Sequence, residues 1–226
     1  MLGLGNSVCA SQYLGGWLPS DEGSLEAWYR FNTGITLNGS NVSAWADSSS
    51  NSFNMVQADT GEQPAFSAGV LTFDPSSDTQ NLQSSSSITL DGEFVLGFKI
   101  NPAASNVVVI GSNSTSSEMF KIFESADRLR VKNDSATKDF TLSSGSVLDD
   151  AYWVVSRDGS DDVTVFKDGS AVAAAQSVPG TFDINALGVR QTDTNPFSGT
   201  MKEVVIFKGT TSTALINNLS TRLSGL

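Results

Sequence analysis

Residues 152–176 read YWVVSRDGSDDVTVFKDGSAVAAAQ. An aromatic and β-branched run, Tyr152 to Arg157, meets a second one, Val163 to Lys167. Asp158-Gly159-Ser160 separates the two, and Asp168-Gly169 follows the second. Asp-Gly favours hairpin turns, because Gly, and less readily Asp, accepts positive φ. The stretch therefore predicts two antiparallel strands and the start of a third.

The same period of two runs outward in both directions from residue 24 onward. In LEAWYRF (25–31), Leu25, Ala27, Tyr29 and Phe31 share one face, opposite Glu26, Trp28 and Arg30. In FVLGFKI (94–100), Phe94, Leu96, Phe98 and Ile100 share a face. RLRVK (128–132) sends Leu129 and Val131 one way and Arg128, Arg130 and Lys132 the other, as a half-solvated strand does. Strands also fit 107–111, 119–124, 138–142, 186–190 and 200–207. The Ser-rich QSSSSITL (83–90) reads as a loop entering a strand. One helix is expected near the end. Thr213 can cap ALINNLSTRL, Leu215, Leu219 and Leu223 recur at i, i+4, i+8, and Ser224-Gly225 stops it. Many short strands and one terminal helix predict a sandwich of two antiparallel sheets, with no internal repeat and no linker dividing residues 24–226.

Composition narrows the chemistry. The chain has 226 residues, a net charge of −11, one cysteine and no histidine. The negative sign repels nucleic acid and anionic membrane surfaces, so neither is an expected partner. A lone Cys9 makes no internal disulfide. Without His, the usual triads, zinc ligand sets and commonest general base are missing, and any catalysis would rest on carboxylates. No stretch reaches the roughly 18 apolar residues of a membrane span. The opening MLGLGNSVCASQYLGGWLPS lacks the basic n-region and continuous apolar core of a secretory signal. Leu2, Leu4, Val8 and Trp17 are too irregularly spaced for a helix stripe or a strand face. Residues 1–22 are therefore expected to be a docking arm, separate from a domain at 23–226.

The 152–176 stretch resembles the concanavalin A-like, laminin-G-like jelly rolls, whose late strands carry an aromatic-valine run, a DG turn, a second strand and another DG turn. Residues 187–223 resemble that family's closing pattern, F-x-G-x-x-x-E-V-x-I-F and a short helix, through Phe197, Gly199, Glu203, Val204, Ile206 and Phe207. LEAWYRF, VSAWADSSSNSFNM (42–55) and QPAF…GVLTFD (63–74) are similar to its first strand, its W-x-D-x-S loop and the step after it. The resemblance implies an all-β jelly-roll sandwich with one short C-terminal helix. Related glucanases place acid and nucleophile in E-x-D-x-x-E on one strand face, about 5–5.5 Å apart. No such triplet occurs here, and Glu93 and Glu203 each stand alone among hydrophobic residues, so no enzyme is expected.

Three candidate sites follow. Trp45 and Asp47 can stack on a sugar and bind its hydroxyls, or else pack under a loop and cap its backbone. Asp74, Asp78 and Asn81 offer oxygen ligands to Ca²⁺, which some laminin-G-like domains bind on their rim, though the stretch lacks the dense carboxylates that six to eight ligands would need. Leu2, Leu4, Val8 and Trp17 are the candidate partner contacts. The arm and the Ser- and Asn-rich jelly roll together also resemble virion structural proteins of tailed phages. That resemblance implies a non-enzymatic virion surface protein, a capsid decoration or tail appendage. Its arm would dock on other virion proteins in a homo-oligomer or many-copy assembly, and its surface would contact host glycans. The alternative is a free carbohydrate-binding, lectin-like module.

Overall fold

The computed structural model describes residues 16–74, 79–123, 127–191 and 194–226. Among them the chain forms 18 strands and one α-helix. All strand pairings are antiparallel, as short hairpin connections require.

One ladder runs β1 (Leu25–Tyr29), β18 (Gly199–Lys208), β8 (Phe94–Pro102), β13 (Ala151–Arg157), β14 (Asp162–Lys167), with the short β15 (Ser170–Ala171) and β16 (Gln176–Ser177) beyond. A second runs β3 (Asn41–Trp45), β4 (Met55–Val56), β7 (Leu82–Leu90), β17 (Phe182–Leu187), β9 (Val107–Gly111), β10 (Met119–Phe123), β11 (Arg128–Lys132), β12 (Thr137–Thr141). β2 (Ile35–Asn38) extends the second ladder beyond β3. The hairpin of β5 (Ala65–Ser67) and β6 (Val70–Phe73) pairs with β3 on one side and β18 on the other, so the ladders curl into one continuous, barrel-like sheet.

The two ladders close on one core. Phe94, Leu96, Phe98 and Ile100 of β8 join Phe120 and Ile122 of β10, Leu129 and Val131 of β11, and Phe182 of β17 in it. The Phe182 ring meets Phe94 edge-on and stacks on Phe120, each at 5.6 Å. This is the period-two face expected from the sequence at 94–100 and 128–132.

The first ladder is also covered outside. Helix α1 (Thr213–Ser224) lays Leu215, Leu219 and Leu223 on Trp28, Val95, Val154, Val205 and Phe207. Gly97 of β8 makes the approach possible. A Cβ there would sit 2.6 Å from Leu219 Cδ2 and 2.9 Å from Leu223 Cδ1. Burial on both faces explains why β8, β13 and β18 are apolar at consecutive positions rather than alternate ones. The cap lies one residue earlier than expected, since it is Ser212 whose hydroxyl accepts the Leu215 N–H at 3.1 Å and Thr213 is the first helical residue.

Several expectations shift. Trp28, placed by alternation opposite the core, is buried in the helix layer. Residues 83–90 are strand throughout, not a loop. Their ladder with β17 slips between Ile184 and Ala186, so the chain between Gln83 and Ile88 bulges outward, which suits exposed serines. The strand expected at 186–190 lies at Phe182–Leu187. In the 158–161 turn the positive φ falls on Asp161, at 64°, whereas Asp168 and Gly169 both take it, at 49° and 81°. Trp17, expected to meet another chain, packs on Phe207 of its own domain at 6.0 Å and donates its indole N–H to Glu22 at 2.8 Å. Pro19 of the following 3-10 turn is buried, so residues 17–22 pack with the domain rather than apart from it. Leu2, Leu4, Val8 and Cys9 lie outside the described residues.

Candidate ligand-binding face

Helix α1 lies on the outer face of the first ladder, and among the described residues no helix lies on that of the second. Alternation fixes what it carries. Where Phe120, Ile122, Leu129, Val131 and Phe140 point inward, Met119, Lys121 and Phe123 of β10, Arg128, Arg130 and Lys132 of β11, and Asp139 of β12 point out.

The β4–β7–β17 part of this face is built of amides. Gln57 Nε2 donates to Glu62 at 2.9 Å and to Asn81 Oδ1 at 3.0 Å. Gln83 Nε2 donates to Asn81 Oδ1 at 2.9 Å, and Asn113 Nδ2 to Gln83 Oε1 at 2.5 Å. Asn185 and Asn113 bond reciprocally, each at 2.8 Å. The relay thus crosses four segments far apart in sequence. It borders a shallow cleft of about 380 Å³ lined by Val56, Gln57, Glu62, Gln83, Ser84 and Asn113. Amides carry both donors and acceptors, the pairing that sugar hydroxyls require.

The β10–β11 part is cationic. Lys121 lies opposite Arg130, and Phe123 opposite Arg128. The Phe123 ring gathers Lys121, Arg128 and Arg130 at 4.7, 4.8 and 4.6 Å. Asp139 takes Arg130 in a two-pronged pair at 2.7 and 2.9 Å and Arg128 at 3.1 Å. The bond to Arg130 draws the Asp139 carboxyl below its ordinary range. Burial, then Arg190 and Arg130, pull Lys121 down to about 8.

Glu118, 3% exposed, immediately precedes β10. Burial pushes its carboxyl up to about 7, with Asp183 and Asp134 adding to the rise and the Asp183 backbone N–H opposing it. The fold therefore favours neutral Glu118. Its contribution to stability is whole below the ordinary carboxyl value of 4.5 and is lost as pH rises to about 7. Glu118→Gln is expected to flatten the fall in melting midpoint between pH 5 and pH 8. An unchanged slope would contradict this.

The candidates read from sequence lie elsewhere. Trp45 is fully buried against Tyr29 at 5.8 Å, and its indole N–H reaches the carbonyls of Arg30 and Thr33 at 3.2 and 3.1 Å. No ring face is left for a sugar. Asp47 accepts from the backbone N–H of Trp28, Ser49 and Phe53 at 2.8, 2.8 and 3.0 Å and from the Ser49 hydroxyl at 2.6 Å. It caps its loop. Asn81, offered as a Ca²⁺ ligand, is fully buried and spends its oxygen on Gln57 and Gln83. The Asp74 N–H donates to Gln80 at 2.7 Å, and Asp78 lies outside the described residues. Among the described residues no three acidic, His or Cys groups cluster as metal ligands would.

No protein-family model and no curated protein matches the chain. Solved structures do. The fold is similar to domain 4 of AbnA, an extracellular arabinanase from Geobacillus stearothermophilus solved with arabinotriose. The TM-score there is 0.60 at 16% identity, over 87% of this chain and 98% of that one. Trypanosoma rangeli sialidase gives 0.59 at 12% identity, over 88% of this chain and 32% of the sialidase. Botulinum neurotoxin type C, whose cell entry depends on two ganglioside molecules, gives 0.54 at 15% identity, over 88% of this chain and 51% of that one. The chain has the all-β architecture of these domains. It spans about a third of the sialidase and about half of the toxin structure.

Among the described residues no helix is long and apolar enough to cross a membrane.

Proposed function

We propose that the protein is a non-catalytic, lectin-like carbohydrate-binding module of the concanavalin A-like class. The observation that carries this reading is the outer face of the second ladder, where side chains from β7 and the residue before it, from β17 and from the segments after β4 and β9 form one hydrogen-bonded amide relay beside a shallow cleft. The likeness to an arabinanase domain holding arabinotriose, and to a toxin whose cell entry uses gangliosides, supports it. All four tryptophans are committed elsewhere. Trp45 and Trp153 lie in the inter-ladder core, and Trp17 and Trp28 under the helix side. Recognition would then run through hydrogen bonds and charge rather than Trp stacking.

The non-catalytic part rests on how two of the carboxylates are used. Glu203 is held by Arg222, and Glu62 belongs to the amide relay. The virion-surface setting expected from the opening segment draws no support from the similar structures, and the free-module alternative fits them better.

The test is a glycan array spanning arabino-oligosaccharides and ganglioside-type oligosaccharides, with product analysis on every hit. Binding without new reducing ends is expected, and Gln83→Ala with Asn113→Ala should abolish it while leaving the fold intact. Absence of binding across the array, or turnover abolished by Glu93→Gln or Glu203→Gln, would overturn the reading.

A further inference from the structure

The chain carries 24 acidic and 13 basic residues, yet on one strip of its surface the sign inverts. Lys121, Arg128, Arg130, Lys132 and Arg190 gather around β10 and β11, and Asp139 is the carboxylate that pairs with them among the described residues. Asp139 serves Arg128 and Arg130. Among the described residues the other cations have neutral partners. Lys121, 5% exposed, donates to Asn195 Oδ1 at 2.8 Å. Arg190 donates to the same oxygen at 3.0 Å, to the Thr194 hydroxyl at 2.9 Å and to the Ser116 carbonyl at 3.2 Å. Two cations thus share one amide oxygen, and like charges stand directly opposite where Lys121 faces Arg130. Such an arrangement costs the fold stability, because a nearly buried charge without a counter-charge is unfavourable and cross-strand like charges repel. An anion brought by a ligand would remove both costs. Glu124 and Asp193, the acidic residues nearby in sequence, lie outside the described residues.

We propose that this strip receives the carboxylate or sulfate group of an acidic saccharide, with Lys121 and Arg190 as its principal contacts. The inference rests on the glycan-binding reading and specifies the ligand class within it. Position supports a saccharide over other anions. Met119, two residues from Lys121, pairs with Gly111, which pairs with Ala186, which pairs with Gln83. The amide relay therefore lies on neighbouring rungs of the same face, where hydroxyls attached to the anionic ring would fall. A long polyanion would have to pass over a chain of net charge −11, whereas a short saccharide with one or two charges meets the strip alone.

The experiment measures calorimetric affinity for matched pairs: sialyllactose against lactose, oligogalacturonate against its methyl ester, and a sulfated disaccharide against its unsulfated form. A short DNA duplex is the competing polyanion. At least one acidic member should bind about tenfold or more tightly than its neutral partner, as one added charge-assisted hydrogen bond gives. Lys121→Met and Arg190→Gln should each remove that advantage without lowering the melting midpoint. Equal affinity for acidic and neutral partners would overturn this inference while leaving glycan binding in place. Tighter binding of the duplex than of any saccharide would also overturn it. Absence of any saccharide binding would defeat the inference together with the glycan reading beneath it.

Discussion

Arg222→Met is expected to destabilise the protein by about 3–5 kcal/mol, because it strands a carboxylate that the fold has sealed from water. Glu203 lies at the start of the outward-facing row of β18 that continues with Val205 and Phe207, and none of it is exposed. Its oxygens accept the Trp28 indole N–H at 3.0 Å, the Phe31 backbone N–H at 3.0 Å and two guanidinium N–H groups of Arg222, one of them at 2.8 Å. The Arg222 guanidinium also lies 4.8 Å from the Trp28 ring centre. The last turn of α1 is therefore tied to the sheet by charge as well as by Leu219 and Leu223. The double substitution Glu203→Leu with Arg222→Met should recover most of the loss, since a well-packed apolar pair often equals a buried ion pair. Urea unfolding of the two variants checks both statements. A single variant within about 1 kcal/mol of the parent would show that Glu203 does not depend on Arg222.

Arg157→Met is expected to cost a similar amount, about 3–5 kcal/mol, for a different reason: it orphans backbone rather than a carboxylate. Arg157 is fully buried at the end of β13, its guanidinium between the rings of Phe94 and Phe182 at 5.2 and 5.6 Å. It donates to the carbonyls of Leu90, Gly92 and Gly180 at 3.2, 2.6 and 2.5 Å, with a longer bond to Val178 at 3.4 Å. The nearest carboxylate, Asp161, is 3.8 Å away. One side chain thus holds the β7–β8 turn against the segment that leads into β17. Hydrogen exchange should accelerate in both segments in the variant, and slow exchange retained there would contradict this role.

Much of the frame was legible in the residues themselves. The alternation of 94–100 and 128–132, the turn at Asp168-Gly169 and the Leu spacing of 215–223 each encode their own local geometry, and the structure follows them. The apolar runs of β8, β13 and β18 were ambiguous for a physical reason. A strand buried on both faces loses the period of two, and what covers its second face is a helix more than a hundred residues from β8. Trp45 and Asp47 have the residue types of a sugar site, yet a loop needs the same types to close over a core and satisfy its N–H groups. The candidate face was largely illegible because its parts lie between residues 57 and 190 and meet only through strand register. One signal was available. Lys121 and Phe123 share the outward parity of Arg128, Arg130 and Lys132 once the two strands pair as a hairpin.

Saccharide is expected on the outer face of the second ladder, and amide chemical-shift mapping with the tightest saccharide from the array locates it. Shifts should concentrate on Gln83, Asn113, Asn185, Lys121, Arg130 and Arg190, with α1 and the Trp45–Asp47 loop unmoved. Shifts centred on that loop, on the Asp74–Asn81 segment or on the helix side, with the second ladder silent, would contradict it.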